Sequence, residues 1–186
     1  MEIRLAVLAD FEAITGIYNE VVLNSTATYN ETPATVDERV AWWRSRKAQD
    51  YPVLVAVEDD TVVGFASFGD FRAWPGYRYT VEGTIHLAPQ ARGQGLGRQL
   101  LDALIERARA LGKHIMIAGV DSENAASLRF LTRYGFRQMG QLHEVGYKFG
   151  RYLDLVFLQY WLTPQGEHPS PGPNARGVIA ESPRRR

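Results

Sequence analysis

The sequence predicts an α/β domain with a mixed, largely antiparallel central sheet and helices on both faces. Three observations carry this. Short β-rich runs recur along the 186 residues, Leu96–Leu111 keeps a helical apolar period, and one strand enters that helix through a turn holding three glycines.

The elements follow in order. Met1–Leu8 reads as a strand with Ile3, Leu5 and Val7 on one face. Asp10 is a candidate N-cap for a helix turning Phe11, Ile14, Ile17, Tyr18 and Val21 inward. After the loop-like Asn24–Pro33, Thr35 or Asp37 opens a second helix with Val40 and Trp43 inward and Arg44 and Lys47 at its polar edge. Val53–Val57 and Val62–Phe68 are β-rich runs joined by the hairpin-like Glu58-Asp-Asp-Thr61. Tyr79–Leu87 is a third run, and Gly112 ends the helix Leu96–Leu111. Ile115–Val120 reads as a buried strand, Asn124–Tyr134 as a short helix closed by Gly135, and Gln141–Tyr147 and Tyr152–Leu162 as the last strands.

The domain is therefore expected over 1–162. Residues 163–186 hold five of the nine prolines and a terminal Arg-Arg-Arg, a composition that cannot bury enough surface to fold alone, and read as a Pro/Arg-rich tail. Lys+Arg and Asp+Glu are both 21, which argues against nucleic acid or an anionic membrane as the main partner. The absence of cysteine excludes disulfides, thiolate metal sites and a Cys nucleophile, and no metal set is assigned. The acidic N-terminus does not read as a signal peptide, and no apolar run approaches the roughly 18 residues of a membrane span. A cytoplasmic protein is expected.

The informative stretch is Thr84–Arg98, in which a strand ends near Leu87, a turn holds Gly93, Gly95 and Gly97, and a helix begins. Glycines let the backbone approach a ligand closely, and free N–H groups converge at the positive end of the helix, so the turn suits a diphosphate, with Arg92 and Arg98 at its rim. A Walker-type loop would end in Gly-Lys-Ser/Thr, and this turn ends in Gly-Arg-Gln. A dinucleotide fold gains from Asp121 at the end of a strand, but the glycine spacing here is G-x-G-x-G. A tight turn without a ligand is the plain alternative.

Gln90-Ala-Arg-Gly93-Gln-Gly95 resembles the Gln/Arg-x-x-Gly-x-Gly/Ala signature of the GNAT acetyltransferase superfamily, which cradles the coenzyme A pyrophosphate. Asn124-Ala-Ala-Ser-Leu-Arg-Phe-Leu-Thr-Arg-Tyr-Gly-Phe136 resembles its next motif, in the right order. Tyr29-Asn-Glu-Thr-Pro33, Gly64-Phe-Ala-Ser-Phe-Gly-Asp-Phe-Arg72, Tyr79-Thr-Val-Glu82, Val145-Gly-Tyr-Lys-Phe-Gly-Arg151 and Leu153-Asp154 look like the phosphinothricin acetyltransferase branch, most of all its methionine sulfoximine/methionine sulfone enzymes. The resemblance runs from about Ile3 to Leu162.

It implies a GNAT-type three-layer fold and acetyl-CoA as cosubstrate. Backbone groups of Ile85, His86 and Leu87 would hold the acetyl and pantetheine portion, the turn Arg92, Gly93, Gln94, Gly95, Leu96, Gly97 and Arg98 the diphosphate, and Asn124 and Arg133 further cofactor groups. Arg72, Ala73, Trp74, Glu82, Gly83 and Thr84 match the family's substrate positions. A small-molecule amine substrate and a homodimer are implied too, with Tyr152, Phe157, Tyr160 and Trp161 available either to an interface or to the core.

Acetyl transfer requires a deprotonated amine, a polarised thioester carbonyl, a tolerated thiolate and alignment of the reactants. Glu82, in a strand of mostly uncharged residues at the position of the family's base, is the candidate acceptor of the amine proton; a strand-end glutamate paired with Arg78 or Arg72 is the structural alternative. His86 shares its face with Glu82 and Thr84 and is a rival base. Arg72 and Arg78 suit the carboxylate of an α-amino acid, Tyr29 and Trp74 the walls of a side-chain pocket, and Lys148 its edge. The sequence departs from the family at Leu131, seven residues after Asn124, where relatives carry a Tyr or His that protonates the thiolate. Direct transfer is expected, because no Cys exists and no Ser is set beside a base. Acetylation of a protein N-terminus or a polyamine, and a catalytically weak acyl-CoA sensor, remain as alternatives.

Overall fold

Alternating apolar runs must bury one face, and here they do so as a seven-stranded sheet. The computed structural model describes residues 2–167, so the proposed tail beyond residue 167 lies outside the described residues. The strands are β1 (Glu2–Leu5), β2 (Val53–Glu58), β3 (Thr61–Asp70), β4 (Thr80–Leu87), β5 (Ile115–Asp121), β6 (Arg137–Lys148) and β7 (Arg151–Trp161). The helices are α1 (Phe11–Asn24), α2 (Val36–Ala48), α3 (Leu96–Ala110) and α4 (Ala125–Tyr134). The sheet order is β1-β2-β3-β4-β5-β7-β6, antiparallel throughout except for β4 against β5. That one parallel pair follows from α3, since parallel neighbours need a crossover connection.

Two hairpins are closed by two-residue turns with left-handed backbone at both positions, the geometry that matches strand twist. Asp59 and Asp60 (φ 46° and 59°) join β2 to β3, and Phe149 and Gly150 (φ 52° and 76°) join β6 to β7.

The period-two alternation of β3 sorts the helices to the two faces. Phe65 meets Trp42 of α2, whereas a Cβ on Gly64 would point at Leu100 of α3. On the α3 side Leu96, Leu100, Leu101, Leu104, Ile105 and Ala108 are buried; on the other, α1 contributes Phe11, Ile14, Ile17 and Val21. Trp43 stacks on Phe11 at 5.0 Å between ring centroids.

Thr35 opens α2 with a full capping box, its Oγ accepting from Glu38 N at 3.2 Å while Glu38 Oε2 accepts from Thr35 N at 2.7 Å. Asp10 stands at the N-cap position of α1 as expected, but its side chain makes no cap bond there. Its carboxylate takes two hydrogen bonds from Arg4 and one from Val7 N, which fixes the preceding turn and holds its pKa below the usual range. β6 begins at Arg137, four residues before the expected Gln141, because Gly140 and the irregular stretch Leu142–Gly146 break its alternation without ending the ladder.

Candidate active site

The β4–β5 ladder stops early. Its pairs run only from Thr80↔Ile115 to Glu82↔Ile117, although β4 continues to Leu87 and β5 to Asp121. On the other edge of β4, Phe71 N donates to Thr80 O and Ala88 N to Val63 O, so the even-numbered residues bond β3. The backbone groups of Gly83, Ile85 and Leu87 therefore turn toward the gap between β4 and β5. Sequence reasoning named Ile85 and Leu87 here by resemblance; His86 instead bonds β3 with its backbone.

Glu82 stands on the last rung before the strands part. Its Oε1 lies over Gly119 of β5, where an added Cβ would come within 3.2 Å, so the glycine gives the carboxylate room that a side chain there would crowd. Among the described residues Glu82 makes no ion pair, which removes the structural alternative of a partner at Arg78 or Arg72. Desolvation in the groove raises its pKa, opposed in part by the charge of Arg72.

Glu82, Thr84 and His86 share one face as expected and line a cleft of about 290 Å³ with Tyr18, Trp42 and Phe65. His86 packs 5.2 Å from the Phe65 ring, and burial, with the charges of Arg39 and Arg92, holds its pKa down to about 4. A neutral imidazole of such low basicity is a poor acceptor for an ammonium proton, so the geometry and the electrostatics favour Glu82 over His86 as the candidate base.

The glycine turn lies at the far end of β4. Gly93 and Gly95 have φ of +76° and +82°, conformations that L side chains rarely adopt, and Gly95 is the N-cap of α3. At Gly97 a Cβ would sit 3.6 Å from Phe130 and 3.7 Å from Leu87, in ordinary contact. Arg98 N and Gln99 N donate to Gly95 O at 3.1 and 3.4 Å, whereas the N–H groups of Leu96 and Gly97, at the very start of α3, lack a preceding carbonyl of the helix and can serve an anion. Arg92 pairs with Glu20 at 2.8 Å, Gln94 folds back to Gln90 O, and Arg98 lies 3.8 Å from Asp102. Asn124 caps α4 through Ser127 N at 3.1 Å, which leaves its NH₂ for another partner. Arg133 is exposed on the last turn of α4.

Substrate candidates divide. Arg72 is near enough to influence Glu82, with its guanidinium over the Phe71 ring, and Ala73 and Trp74 follow it as exposed residues, Trp74 at 76%. Arg78 bonds its own loop at Pro75 O. Tyr29 packs its ring on Gly146 and donates to Asp154 O at 3.2 Å, so it anchors a loop to β6 and β7, and the cleft wall beside Glu82 is made by Ala27 and Thr28 instead. Among the described residues no three His, Asp or Glu side chains gather as a metal set.

The sequence profile of the acetyltransferase (GNAT) family matches residues 14–136. The chain belongs to the GNAT acetyltransferase family. It is 48% identical over 171 residues to the L-methionine sulfoximine/L-methionine sulfone acetyltransferase of Salmonella typhimurium, covering 92% of this chain and 98% of that one. A Salmonella typhimurium acetyltransferase solved with acetyl-CoA superposes with a TM-score of 0.86 at 48% identity, covering 91% and 96% of the two chains. The phosphinothricin acetyltransferase of Sinorhizobium meliloti, in complex with acetyl-CoA, does so with a TM-score of 0.88 at 38% identity, covering 92% and 94%.

Within this GNAT fold three features went unread in the sequence or were read differently. Asp121, which favoured a dinucleotide fold, is buried and taken up by the Thr26 hydroxyl and Glu123 N. Lys148 is no pocket edge: it is fully buried, with Nζ donating to Ser25 O at 2.7 Å and Thr28 O at 2.8 Å, and desolvation lowers its pKa. It clamps the loop after α1 onto β6. Lys148→Met keeps the volume but orphans both carbonyls, and is expected to cost about 1–3 kcal/mol, a Tm drop of roughly 2–12 °C in a thermal melt. The third feature is a buried Arg39 beside a half-buried Arg46, hidden in a helix whose polar residues read as a solvent face.

Proposed function

We propose that this protein transfers the acetyl group of acetyl-CoA to the amine of a small amino-acid-like substrate of the methionine sulfone, methionine sulfoximine or phosphinothricin type. The observation that carries this reading is the unpaired Glu82 carboxylate, with raised proton affinity, on the last rung before β4 and β5 part. The names of the relatives support the substrate class, and the two acetyl-CoA complexes among the similar structures support the cosubstrate.

The residues present fit acetyl-CoA. Its diphosphate suits the N–H cradle of Gly93–Gly97 with Arg92, Gln94, Leu96 and Arg98 around it, and an extended pantetheine suits the unpaired backbone of Ile85 and Leu87 and the Asn124 amide. Arg133 adds charge on the α4 side. When bound, acetyl-CoA supplies an electrophilic acetyl carbonyl and a thiolate leaving group.

Glu82 takes the first proton from the substrate ammonium and passes it to water, the freed amine forms the new C–N bond as the C–S bond breaks, and the nitrogen's second proton goes to the Glu82 carboxylate as the amide forms. Arg72 holds the α-carboxylate, with Ala73, Trp74, Gly83 and Thr84 shaping the site and Arg78 and Tyr29 fixing the loops around it. Leu131 has no proton to give, and the Tyr134 hydroxyl donates to Asp102 on α3, so no side chain is assigned to protonate the thiolate. A thiol pKa of about 8.5 lets it leave unprotonated.

We place the catalytic domain at 1–162, in the cytoplasm and independent of nucleic acid; among the described residues no helix is long and apolar enough to cross a membrane. A homodimer would use the edge strand β6 and its hairpin, where Met139, Leu142, Val145, Tyr147, Phe149 and Tyr152 are exposed. Tyr160 and Phe157 are occupied within the chain by Phe136 and Phe71.

The test is thiol release from acetyl-CoA against methionine sulfoximine, methionine sulfone, phosphinothricin, spermidine and a Met-starting peptide. Turnover confined to the first three is expected. Turnover of the amine or peptide alone would sink the amino-acid reading, and tight acetyl-CoA binding without any turnover would make the protein a sensor.

A further inference from the structure

The cleft beside Glu82 holds a cation that the proposed chemistry leaves unused. Arg39 is 8% exposed, yet its Nε has no hydrogen-bond partner, and among the described residues it makes no ion pair. Its guanidinium carbon sits 4.2 Å from the Tyr18 ring centroid and 4.0 Å from that of Trp42. Both rings lie against the group, and among the described residues none of its N–H groups has a hydrogen-bond acceptor.

Arg46 lies next along the same wall. Its Nε is also unpartnered, and its guanidinium rests on Gly69, where a Cβ would come within 2.0 Å of Nη1. Both arginines and Glu82 line one cleft, and the two positive charges, side by side on α2, repel each other. Asp70, whose charge attracts Arg46, makes no ion pair with it among the described residues and accepts from the Tyr51 hydroxyl, so Arg39 is the cation left without an anion. A desolvated cation without an anion is costly, and this pair is held in place by stacked rings and a glycine. Such a rim is built to receive oxygen acceptors.

We propose that Arg39, supported by Arg46, is the subsite for the oxygen-bearing side-chain head of the substrate, the sulfone, sulfoximine or phosphinate oxygens, while Arg72 serves the α-carboxylate. This rests on the amino-acid acetyltransferase reading and deepens it. A cleft of about 290 Å³ is of a size for a small amino acid rather than a drug-sized ligand. Rejection of substrates without those oxygens follows, because they would leave the arginine rim unpaired.

The experiment measures kcat/KM for methionine sulfone and for methionine, which has the same chain without the oxygens, in wild type, Arg39→Gln and Arg39→Lys, with Tm recorded for each. Wild type is expected to favour the sulfone strongly. Arg39→Gln should lose ~10- to 100-fold on the sulfone, mostly in KM, with little loss on methionine. Arg39→Lys should recover part of the loss, and Tm should hold or rise in the glutamine variant because an unpaired buried charge is gone. Equal losses on both substrates would overturn the proposal and assign Arg39 to the carboxylate, and a falling Tm with unchanged preference would make it a packing residue. Wild type that acetylates no amino acid at all would instead overturn the parent reading and this subsite with it.

Discussion

Glu82→Gln is expected to lower kcat by ~10²- to 10⁴-fold while leaving the KM for acetyl-CoA unchanged, the usual worth of a positioned general base. The amide keeps the size of the side chain that lies over Gly119. It loses only the ability to hold a proton. The pH profile carries a second signature. A base works ionised, so wild-type kcat/KM should fall as pH drops through the Glu82 pKa, and that limb lies above the ordinary carboxylate range because desolvation raises it. In Glu82→Gln the limb should vanish. The sign for stability is opposite to that for activity. A carboxyl whose folded pKa is raised favours the folded state at low pH and loses that contribution as pH rises through the raised value, so at neutral pH the ionised group is a burden. The glutamine variant should then melt no lower than wild type at pH 7. Steady-state kinetics with a thermal melt read all three, and a loss below about threefold would move the base elsewhere.

Gly95→Ala is expected to raise the KM for acetyl-CoA about tenfold with kcat at saturation largely kept. Space is not the obstacle, since a Cβ at Gly95 would meet nothing within 4 Å. The obstacle is the backbone, held at φ +82°, where an L side chain costs about 1–2 kcal/mol. The chain can relieve that cost only by rotating the peptide that starts α3, which disperses the N–H groups aimed at the diphosphate. Gly140→Ala is the control, also open around its Cβ and without positive φ, and should leave KM alone. An unchanged KM in Gly95→Ala would remove the turn from the cofactor site.

The parts of this fold that could be read from sequence are those governed by neighbouring residues. Strand alternation, the helical period of Leu96–Leu111, the Asp59-Asp60 turn and the glycine turn each declare themselves within a few positions, and all are present. Glu82 stands out in the sequence as a lone acid in a strand of mostly uncharged residues, and mainly because it matches the position of the family's base. What escaped depends on contacts distant in sequence. Lys148 in Gly-Tyr-Lys-Phe-Gly reads as a pocket-edge lysine until its partners are known to be Ser25 and Thr28, more than a hundred residues earlier. Arg39 falls in a charged helix, Val36-Asp-Glu-Arg39, and nothing local says that it turns inward while Glu38 caps. Asp10 looked like a helix cap, and the competitor that took it was Arg4 across the preceding turn.

The three-rung pairing of β4 with β5 has a mechanical side. Along the sheet it is the narrowest seam, with four strands on one side and three on the other. Any molecule lying in the gap and bonding the free edge of β4 acts as a splint across that seam, adding rungs the chain itself omits. The protein thus places its binding energy where its own cohesion is thinnest, so that occupancy of the site and resistance to unfolding rise together.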